Sequence, residues 1–441
     1  MNISRRDFLK NGVLELATAG WPAWMPRLAF RTPADAPYAG DTLVCIFQRG
    51  GMDGLNVVVP YGDGDYYKHR STLAIAGPKA GDPAAAIDLD GFFGLNPALA
   101  PLKDLYQGQV LAFVHAAGSP DPTHSHFDAQ DYMERGTPGE KSIPTGWLAR
   151  HLQSAASTNK SPFRAVGLGA VMQGSLRGPV PAVALQSIAD FHLKGRPGAA
   201  GEIARFQAEL ASLYQIGSSQ LDDAGQDTFA AMQTLGQLTS PSASGPAAGP
   251  GPAKYVPANG AVYPATMFGK AMATVAQLIK ASIGLEIACV DLGGWDTHVG
   301  EGAATSGQLP RLLQELGNTL HAFYTDLQDQ MGHITVVTMS EFGRRVMENG
   351  SHGTDHGHGN CMLLMGKGVL GGKVYGQWPG LAPTEEYGPG DLAVTTDFRD
   401  VLAEVVQKRL LNNALATVFP GYQPHMRGLL SAVEQAVPVT I

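Results

Sequence analysis

The chain has 441 residues, a formal net charge of −8 and 44% hydrophobic side chains, which suits one large globular α/β domain or two smaller ones. No basic stripe is present, which argues against nucleic acid as a partner, and outside the first 39 residues no run of about 18 apolar residues suggests a stable membrane span. The three widely spaced cysteines exclude a disulfide scaffold and predict buried, inert thiols: Cys45, Cys289 and Cys361.

The N-terminus carries a predicted export signal. Residues 4–10 read Ser-Arg-Arg-Asp-Phe-Leu-Lys, which closely matches the twin-arginine signal, and a modest apolar stretch follows at 13–24. We therefore predict a twin-arginine signal peptide at 1–39, the twin-arginine export machinery as a partner, and a periplasmic or secreted location. An ordinary N-terminal amphipathic helix is the alternative.

From residue 40 onward, apolar runs typical of buried strands alternate with segments of helical periodicity. Strands are predicted at 42–47, 110–115, 165–168, 180–185, 286–292, 334–339 and 361–365. Helices are predicted at 101–106, 127–135, 147–152, 266–282, 309–331 and 397–411, the last with Thr396 as its N-cap. This alternation predicts an αβα sandwich with a mostly parallel central sheet.

The middle of the chain differs in character from the rest. Two segments, 202–213 and 226–238, have helical periodicity, and 240–252 is rich in Ser, Gly, Pro and Ala, which predicts a flexible loop. We interpret 190–260 as a helical insertion in a single domain that spans residues 40–441.

Acids and histidines cluster at predicted strand ends in the last third of the chain. Residues 295–298 (Trp-Asp-Thr-His) follow one strand, 340–344 (Ser-Glu-Phe-Gly-Arg) follow the next, and 355–359 (Asp-His-Gly-His-Gly) precede a third. Ligands of open α/β sheets collect outside the carboxyl ends of the strands. Imidazole and carboxylate together suit zinc or manganese, so the pattern predicts a metal site.

Spacing selects the candidate metal ligands. Asp296 and His298 are two residues apart, so both point the same way in an extended stretch. Asp355, His356 and His358 form a second candidate set, in which the intervening glycines allow close approach to an ion. The alternatives are a polar loop that caps a helix for the first pair and a Gly/His-rich surface loop for the second set.

Three further residues at strand ends are candidates. Glu341 directly follows an apolar strand and could be a metal ligand or the hydrogen-bond acceptor of a ligating histidine. Arg344 could bind a phosphate or sulfate group, or form a salt bridge to Glu341 or Glu348. Asp53 lies in the turn after the first strand, where a metal role and ordinary Asp-Gly turn chemistry are both open.

Ser125 is the candidate nucleophile, because it lies where a loop enters a predicted helix. Free N–H groups at a helix N-terminus favour an anionic substrate or a developing oxyanion. The pairing of Ser125 with Asp128 is equally typical of a helix cap. His124 and His126 are candidate substrate contacts or extra ligands, and Arg49, in the glycine-rich turn after the first strand, is a further candidate substrate contact.

Taken together, these motifs resemble domain-of-unknown-function family 1501, many of whose members look exported by the twin-arginine route. The matching segments run in one order: 49–56, 125–129, 294–298, 340–344 and 355–359. That family is similar to the alkaline phosphatase-like superfamily of phosphatases, sulfatases and cofactor-independent phosphoglycerate mutases.

The resemblance implies a large αβα sandwich that binds one or two divalent ions, such as zinc, manganese or calcium. It makes Asp53 the first-strand acid, Ser125 the nucleophile, Asp296 and His298 the ligands of one metal, and His356 or His358 the late histidine. The chain departs from the superfamily at 340–341. Ser-Glu closes the strand there in place of an adjacent Asp-His pair, so either Glu341 replaces the pair or the pair has moved.

The expected function is an exported metal-dependent hydrolase of phosphate or sulfate esters. The alternative is a non-catalytic secreted or surface binding protein on the same fold, with a degraded metal site. A redox role is disfavoured, because the sequence has no Cys-based cluster motif, no haem-attachment pattern and no dinucleotide fingerprint.

Overall fold

The structure of the protein is a computed structural model that describes residues 41–157, 159, 161–169, 171–188, 235 and 255–433. The predicted signal peptide at 1–39 lies outside the described residues. Most of the predicted insertion at 190–260 also lies outside them, including its predicted loop and, except for Leu235, both of its predicted helices.

The described strands are, in chain order, β1 (Thr42–Arg49), β2 (Val58–Val59), β3 (Ile87–Asp88), β4 (Gly94–Leu95), β5 (Leu111–Gly118), β6 (Ala165–Leu168), β7 (Val183–Leu185), β8 (Ile287–Gly293), β9 (Ile334–Met339), β10 (Arg344–Glu348), β11 (Thr354–His356), β12 (Asn360–Met365), β13 (Lys373–Tyr375) and β14 (Thr396–Asp397).

The described α-helices are α1 (Gly54–Val57), α2 (Gly64–His69), α3 (Lys103–Gln107), α4 (His126–Arg135), α5 (Trp147–Ser154), α6 (Met267–Lys280), α7 (Gln308–Asp326), α8 (Phe398–Lys408) and α9 (Leu415–Val418). Short 3-10 helices span Pro97–Leu102, Gly174–Leu176 and Met331–His333. None of these helices is both long and apolar enough to cross a membrane.

The central sheet contains nine of the described strands. Its order is β13-β5-β12-β9-β1-β8-β6-β7, and β14 also pairs with β5. The pairs are parallel except for β12, which runs antiparallel to both β5 and β9. Since β9 and β12 are connected through the β10–β11 hairpin rather than through a crossover helix, β12 returns in the opposite direction. The expected α/β fold with a mostly parallel sheet is confirmed, with β12 as the exception.

Helices cover both faces of the sheet. Side chains alternate along β1, so Val44 and Ile46 join one apolar cluster, whereas Leu43, Cys45 and Phe47 join another. The first cluster includes apolar residues of α6 and α7, and the second includes those of α5, α8 and α9. The result is three layers with a core on each side of the sheet.

Two sequence-based details need correction. The long helix predicted at 309–331 ends at Asp326, and the 3-10 helix Met331–His333 leads into β9. Asp397, not Thr396, is the N-cap of α8, because the carboxylate of Asp397 accepts a hydrogen bond from the N–H of Arg399. The three cysteines are free and buried, as predicted.

The sheet brings the polar motifs to one edge. Arg49 at the end of β1 is level with Gly293 of β8, and Phe47 is level with Met339 of β9, so these strands end together. Because β12 is antiparallel, it begins at the same edge, and the segment that precedes Asn360 also arrives there. The residues that follow β1, β8 and β9 therefore meet those that precede β12.

Candidate metal centre

Three residues from distant parts of the chain converge at this edge. His126 is the first residue of α4, Asp296 follows β8, and His356 is the last residue of β11. Each offers one nitrogen or oxygen atom, and these atoms lie within 4.8 Å of one another. The fold therefore assembles a set of donor atoms of the kind that binds divalent metals.

Asp296 lies at the middle of this group. Its Oδ1 is 3.1 Å from the Nε2 atoms of both His298 and His356 and 2.7 Å from a guanidinium nitrogen of Arg344. Its Oδ2 is 3.5 Å from Nε2 of His126. Partial burial favours the neutral acid, but the hydrogen bond from Arg344 and the positive charge of its guanidinium outweigh it and lower the pKa of Asp296 to about 2. Asp296 is therefore a carboxylate at neutral pH.

The spacing of three donor atoms fits a tetrahedral ion. Nε2 of His298 and Nε2 of His356 are 3.0 Å apart, and each is 3.1 Å from Oδ1 of Asp296. Ligand atoms about 2.0–2.1 Å from a tetrahedral zinc ion lie roughly 3.3 Å from one another. We therefore find that the residues present fit a zinc-sized cation.

A common feature of the three imidazoles is that each Nδ1 has an acceptor and each Nε2 faces Asp296. The acceptors are Glu341 for His126 at 2.8 Å, Asp355 for His298 at 3.0 Å, and the backbone carbonyl of His124 for His356 at 2.9 Å. An acceptor at Nδ1 fixes the tautomer that leaves the Nε2 lone pair free, which is the usual arrangement of metal-binding histidines.

The Nε2 atom of His126 supports the interpretation that this group of residues can bind a metal ion. Nε2 of His126 is buried and has no hydrogen-bond partner among the described residues. A buried polar atom without a partner is costly, and a bound ion would satisfy it. The hydrogen bond with Glu341 raises the pKa of His126, whereas burial lowers the pKa of His356.

The sequence left two roles open for Glu341, a metal ligand or the hydrogen-bond acceptor of a ligating histidine, and its contacts are those of the acceptor. Its buried Oε1 accepts from the N–H of Gly50 at 2.8 Å, Nδ1 of His126 at 2.8 Å and the amide of Gln130 at 2.9 Å, and Oε2 accepts from the Ser340 hydroxyl. Burial opposes ionisation, but these hydrogen bonds outweigh it and lower the pKa of Glu341. Glu341 thus orients His126.

Arg344 supports the candidate metal centre by holding one of its proposed ligands, Asp296. Its buried guanidinium bonds Asp296 rather than Glu341 or Glu348, which were the salt-bridge partners considered from the sequence. It also donates to the backbone carbonyls of Gly50, Gly51, Trp295 and Thr354. The structure therefore uses Arg344 to fix Asp296 and the surrounding loops, and does not direct it toward a substrate anion.

Two residues proposed from the first strand end lie in ion pairs instead. Both carboxylate oxygens of Asp53 accept from the guanidinium of Arg70, and the pair is buried. Arg49, proposed as a substrate contact, pairs with Glu134 and Asp291. The structure does not bring Asp53 into the group around Asp296, because Arg70 engages both of its oxygens.

Three further candidates, Ser125, His124 and His358, make contacts of their own outside the donor set. Ser125 is the N-cap of α4, where its hydroxyl accepts from the N–H of Asp128 at 3.4 Å. His124 pairs with Asp391 through Nε2 at 3.1 Å. His358 stacks on Tyr387, and burial lowers its pKa to about 4. None of the three belongs to the converging donor set around Asp296 among the described residues.

Sequence reasoning missed Gln130 and Arg70. Gln130 lies four residues after His126 on α4, so both side chains occupy one face of the helix and meet the same oxygen of Glu341. That helical spacing is a usable signal. Arg70 follows α2 without a periodic relation to Asp53, and no local pattern identifies it.

No curated protein has a matching sequence. Similar solved structures include the PsFucS1 sulfatase from Pseudoalteromonas sp., with 9% identity and a TM-score of 0.34 over 90% of this chain and 71% of that one. The lipoteichoic acid synthase LtaP from Listeria monocytogenes has 7% identity and a TM-score of 0.33 over 90% and 78%. Alkaline phosphatase from the Antarctic bacterium TAB5 has 9% identity and a TM-score of 0.29 over 76% and 95%. Scores of this size establish neither a common site nor a common activity, so the fold description rests on the sheet itself.

The family comparison is more direct. A family model described as "Protein of unknown function (DUF1501)" matches residues 114–416. The match includes every member of the donor set, from His126 to His356. The chain belongs to this family.

Proposed function

We propose that the protein is an exported metal-dependent hydrolase of phosphate or sulfate esters. One observation carries the proposal: three histidines have Nδ1 held by an acceptor and Nε2 turned toward Asp296 at the carboxyl edge of the sheet. The motif resemblance supports the reaction class. A twin-arginine signal at 1–39, a single domain at 40–441 with a helical insertion at 190–260, and a periplasmic or secreted location are parts of the same proposal.

Asp296, His298, His356 and His126 would hold the metal. The mixed imidazole and carboxylate set suits zinc or manganese better than calcium, which prefers oxygen ligands. The two oxygens of Asp296 face different histidines, which leaves room for one ion or two. When bound, the ion would lower the pKa of the attacking group and hold the ester oxygens.

Ser125 is the proposed nucleophile. Its hydroxyl lies at the N-terminus of the ten-residue helix α4, next to His126 in the chain. The free N–H groups and the dipole of a helix N-terminus favour the negative charge of a phosphate or sulfate ester. The residue thus combines a hydroxyl, a site for anion binding and proximity to a proposed metal ligand.

The alternative is a non-catalytic secreted or surface binding protein on the same fold, with a degraded metal site. One observation favours it: Arg344 and Arg49, the two arginines expected to contact a substrate anion, are both engaged in internal ion pairs. A phosphate or sulfate group would then rely on the metal and on the α4 N-terminus for positive charge.

The test is metal content and turnover on the same protein. Mature protein purified without chelator should contain near-stoichiometric metal by plasma mass spectrometry and should hydrolyse members of a panel of aryl phosphates and sulfates. Asp296→Ala should lose both the metal and the turnover. His321→Ala, which removes an exposed histidine of α7, should keep both.

The outcomes separate the two functions. Metal that is bound through Asp296 without turnover on any ester would contradict the hydrolase and favour the binding protein. Folded, exported wild-type protein that contains no metal and turns over no ester would contradict the metal centre and favour the binding protein with a degraded site.

A further inference from the structure

A buried glutamate joins the two loops that carry most of the proposed ligands. We define the first ligand loop as residues 295–298 and the second ligand loop as residues 353–358. Oε2 of Glu301 accepts a hydrogen bond from the hydroxyl of Thr297 at 3.1 Å and from the hydroxyl of Thr354 at 2.5 Å. All three residues are fully buried. One carboxyl oxygen therefore bonds a residue of each loop.

The two threonines are close to the ligands in the chain. Thr297 lies between Asp296 and His298, and Thr354 lies two residues before His356. Any displacement of either threonine therefore moves a donor atom of the centre. Since the donor atoms of the two loops are only 3.0–3.1 Å apart, a small shift would alter the size of the ion that fits.

Backbone hydrogen bonds join the loops in the same region. The N–H of Thr354 donates to the carbonyl of Thr297 at 3.2 Å, and the N–H of Glu301 donates to the carbonyl of His352 at 2.9 Å. The side chain of Glu301 adds its hydrogen bonds with Thr297 and Thr354, so both loops and the glutamate form one hydrogen-bonded unit.

The other oxygen of Glu301 connects this unit to the buried ion pair. Oε1 is buried without a donor partner among the described side chains, and it faces the carboxylate of Asp53. Burial and the negative charge of Asp53 raise the pKa of Glu301, so a proton on Glu301 can complete a hydrogen bond to Asp53. Asp53 in turn pairs with Arg70, which donates to the backbone carbonyls of Arg345 and Val346.

We propose that Glu301 is a positioning residue for the metal centre, which fixes the distance between the two ligand loops through the hydroxyls of Thr297 and Thr354. The inference rests on the proposed function, because it assumes that the loops hold an ion. Residues that support metal ligands from outside typically change metal affinity by about 10–100-fold when they are removed.

Two substitutions of the glutamate test the role. Glu301→Gln keeps an oxygen for the two hydroxyls and a donor toward Asp53, so the zinc Kd should stay within about threefold of the wild-type value. Glu301→Ala removes all of these bonds, and the zinc Kd should rise by about 10–100-fold. Zinc affinity is measured by competition with a chromogenic chelator.

Two smaller changes keep the test decisive if Glu301→Ala does not fold. Thr297→Val and Thr354→Val each remove one hydroxyl at nearly constant volume. Each should raise the zinc Kd by several-fold, in the same direction as Glu301→Ala and by less.

The matched control is a buried glutamate at the opposite edge of the sheet. Glu286 precedes β8, and its carboxylate accepts from Ser157 and Asn159 and pairs with Arg164. Glu286→Ala should lower the thermal midpoint of metal-free protein and leave the zinc Kd unchanged. A merely structural role for Glu301 would give the same pattern.

Each outcome bears on the inference. A raised zinc Kd in Glu301→Ala or the threonine variants, with Glu301→Gln and Glu286→Ala close to wild type, supports it. An unchanged Kd in Glu301→Ala and both threonine variants overturns it and leaves the proposed metal site intact. Wild-type protein that binds no zinc overturns the positioning role together with the metal site.

Discussion

Asp53 and Asp296 follow neighbouring strands at the same edge of the sheet, yet their environments are opposite. Asp53 is completely buried, and both of its oxygens bond the guanidinium of Arg70. The side chain of Asp296 is 48% exposed, and its oxygens face three imidazoles as well as Arg344. A strand-end position thus gives an aspartate access to the edge, but its neighbours decide whether it can bind an ion.

The same contrast separates the histidines. His115 in β5 has both ring nitrogens bonded to the backbone: Nε2 donates to the carbonyl of Val58 and Nδ1 accepts from the N–H of Ala116. His126, by comparison, has Nδ1 bonded to Glu341 and Nε2 without a hydrogen-bond partner among the described residues. Polar groups that are fully satisfied within the fold stabilise it, and those with a remaining lone pair are available for chemistry.

The sharpest test of the contrast is Asp53→Ala. It leaves the Arg70 guanidinium buried without its carboxylate, and we expect a loss of about 3–5 kcal/mol in the free energy of unfolding of metal-free protein, measured by urea denaturation. An Asp53→Ala/Arg70→Met double variant should recover part of the loss. Unchanged stability with lost zinc binding would show instead that Asp53 is a ligand.

Asp296→Ala should have the opposite effect to Asp53→Ala, with a large loss of zinc affinity and a smaller loss of stability. Because Asp296 is the carboxylate that all three imidazoles face, we expect zinc affinity to fall by at least about 100-fold, or roughly 2.7 kcal/mol. The metal-free protein should lose less stability than it does in Asp53→Ala, as measured by urea denaturation. A zinc Kd equal to that of wild type would remove Asp296 from the centre.

The histidine contrast predicts a pH effect. Burial lowers the pKa of His115 to about 4, whereas an unfolded histidine titrates near 6.5. Between these two pH values the unfolded chain binds a proton at His115 that the folded chain excludes. Protonation of His115 therefore costs no stability above about pH 6.5, and it lowers the free energy of unfolding progressively as the pH falls toward 4. At pH 5 the loss is about 2 kcal/mol.

Denaturation of metal-free wild type and His115→Gln at pH 7 and pH 5 measures this effect. The variant should be less stable at pH 7 but should lose about 2 kcal/mol less than wild type between the two values. Equal losses in both proteins would mean that His115 does not exclude the proton.

The smallest expected stability effect is at Ser125. Its hydroxyl caps α4, so Ser125→Ala should cost about 1 kcal/mol of stability, whereas Ser125→Asn keeps a capping oxygen and should cost less. If Ser125 is the nucleophile, both variants lose ester turnover. Turnover that survives in Ser125→Asn would leave only the capping role.

Much of the fold could be predicted because apolar runs and helical periodicity are local signals. The strands predicted at 165–168 and 334–339 have the bounds of β6 and β9. The reversed direction of β12 could not be predicted, because periodicity identifies a strand without giving its orientation. The direction follows from the β10–β11 hairpin, whose pairing is a tertiary property.

The grouping of residues in the candidate metal centre could be predicted only where one short segment contains the candidate ligands. The spacing of Asp296 and His298 placed them together, and the structure brings His356 to both. Asp53 has an equally strong local signal, but its state is set by Arg70, which follows a different element. The role of Glu341 was left open for the same reason, since His126 and Gln130 reach it from α4.

The order of strands in the sheet has a consequence for synthesis of the protein. β5 finds its described partners in β12, β13 and β14, between residues 360 and 397, although β5 itself ends at Gly118. In a nascent chain β5 therefore has no strand partner until residues 360–397 have emerged, and such long-range strand pairing is slow. A product that stops before residue 354 would contain His126 and Asp296 but could not bring them to His356. The emergence of residues 354–397, rather than the folding of any earlier segment, is therefore the event that brings the residues of the candidate metal centre together.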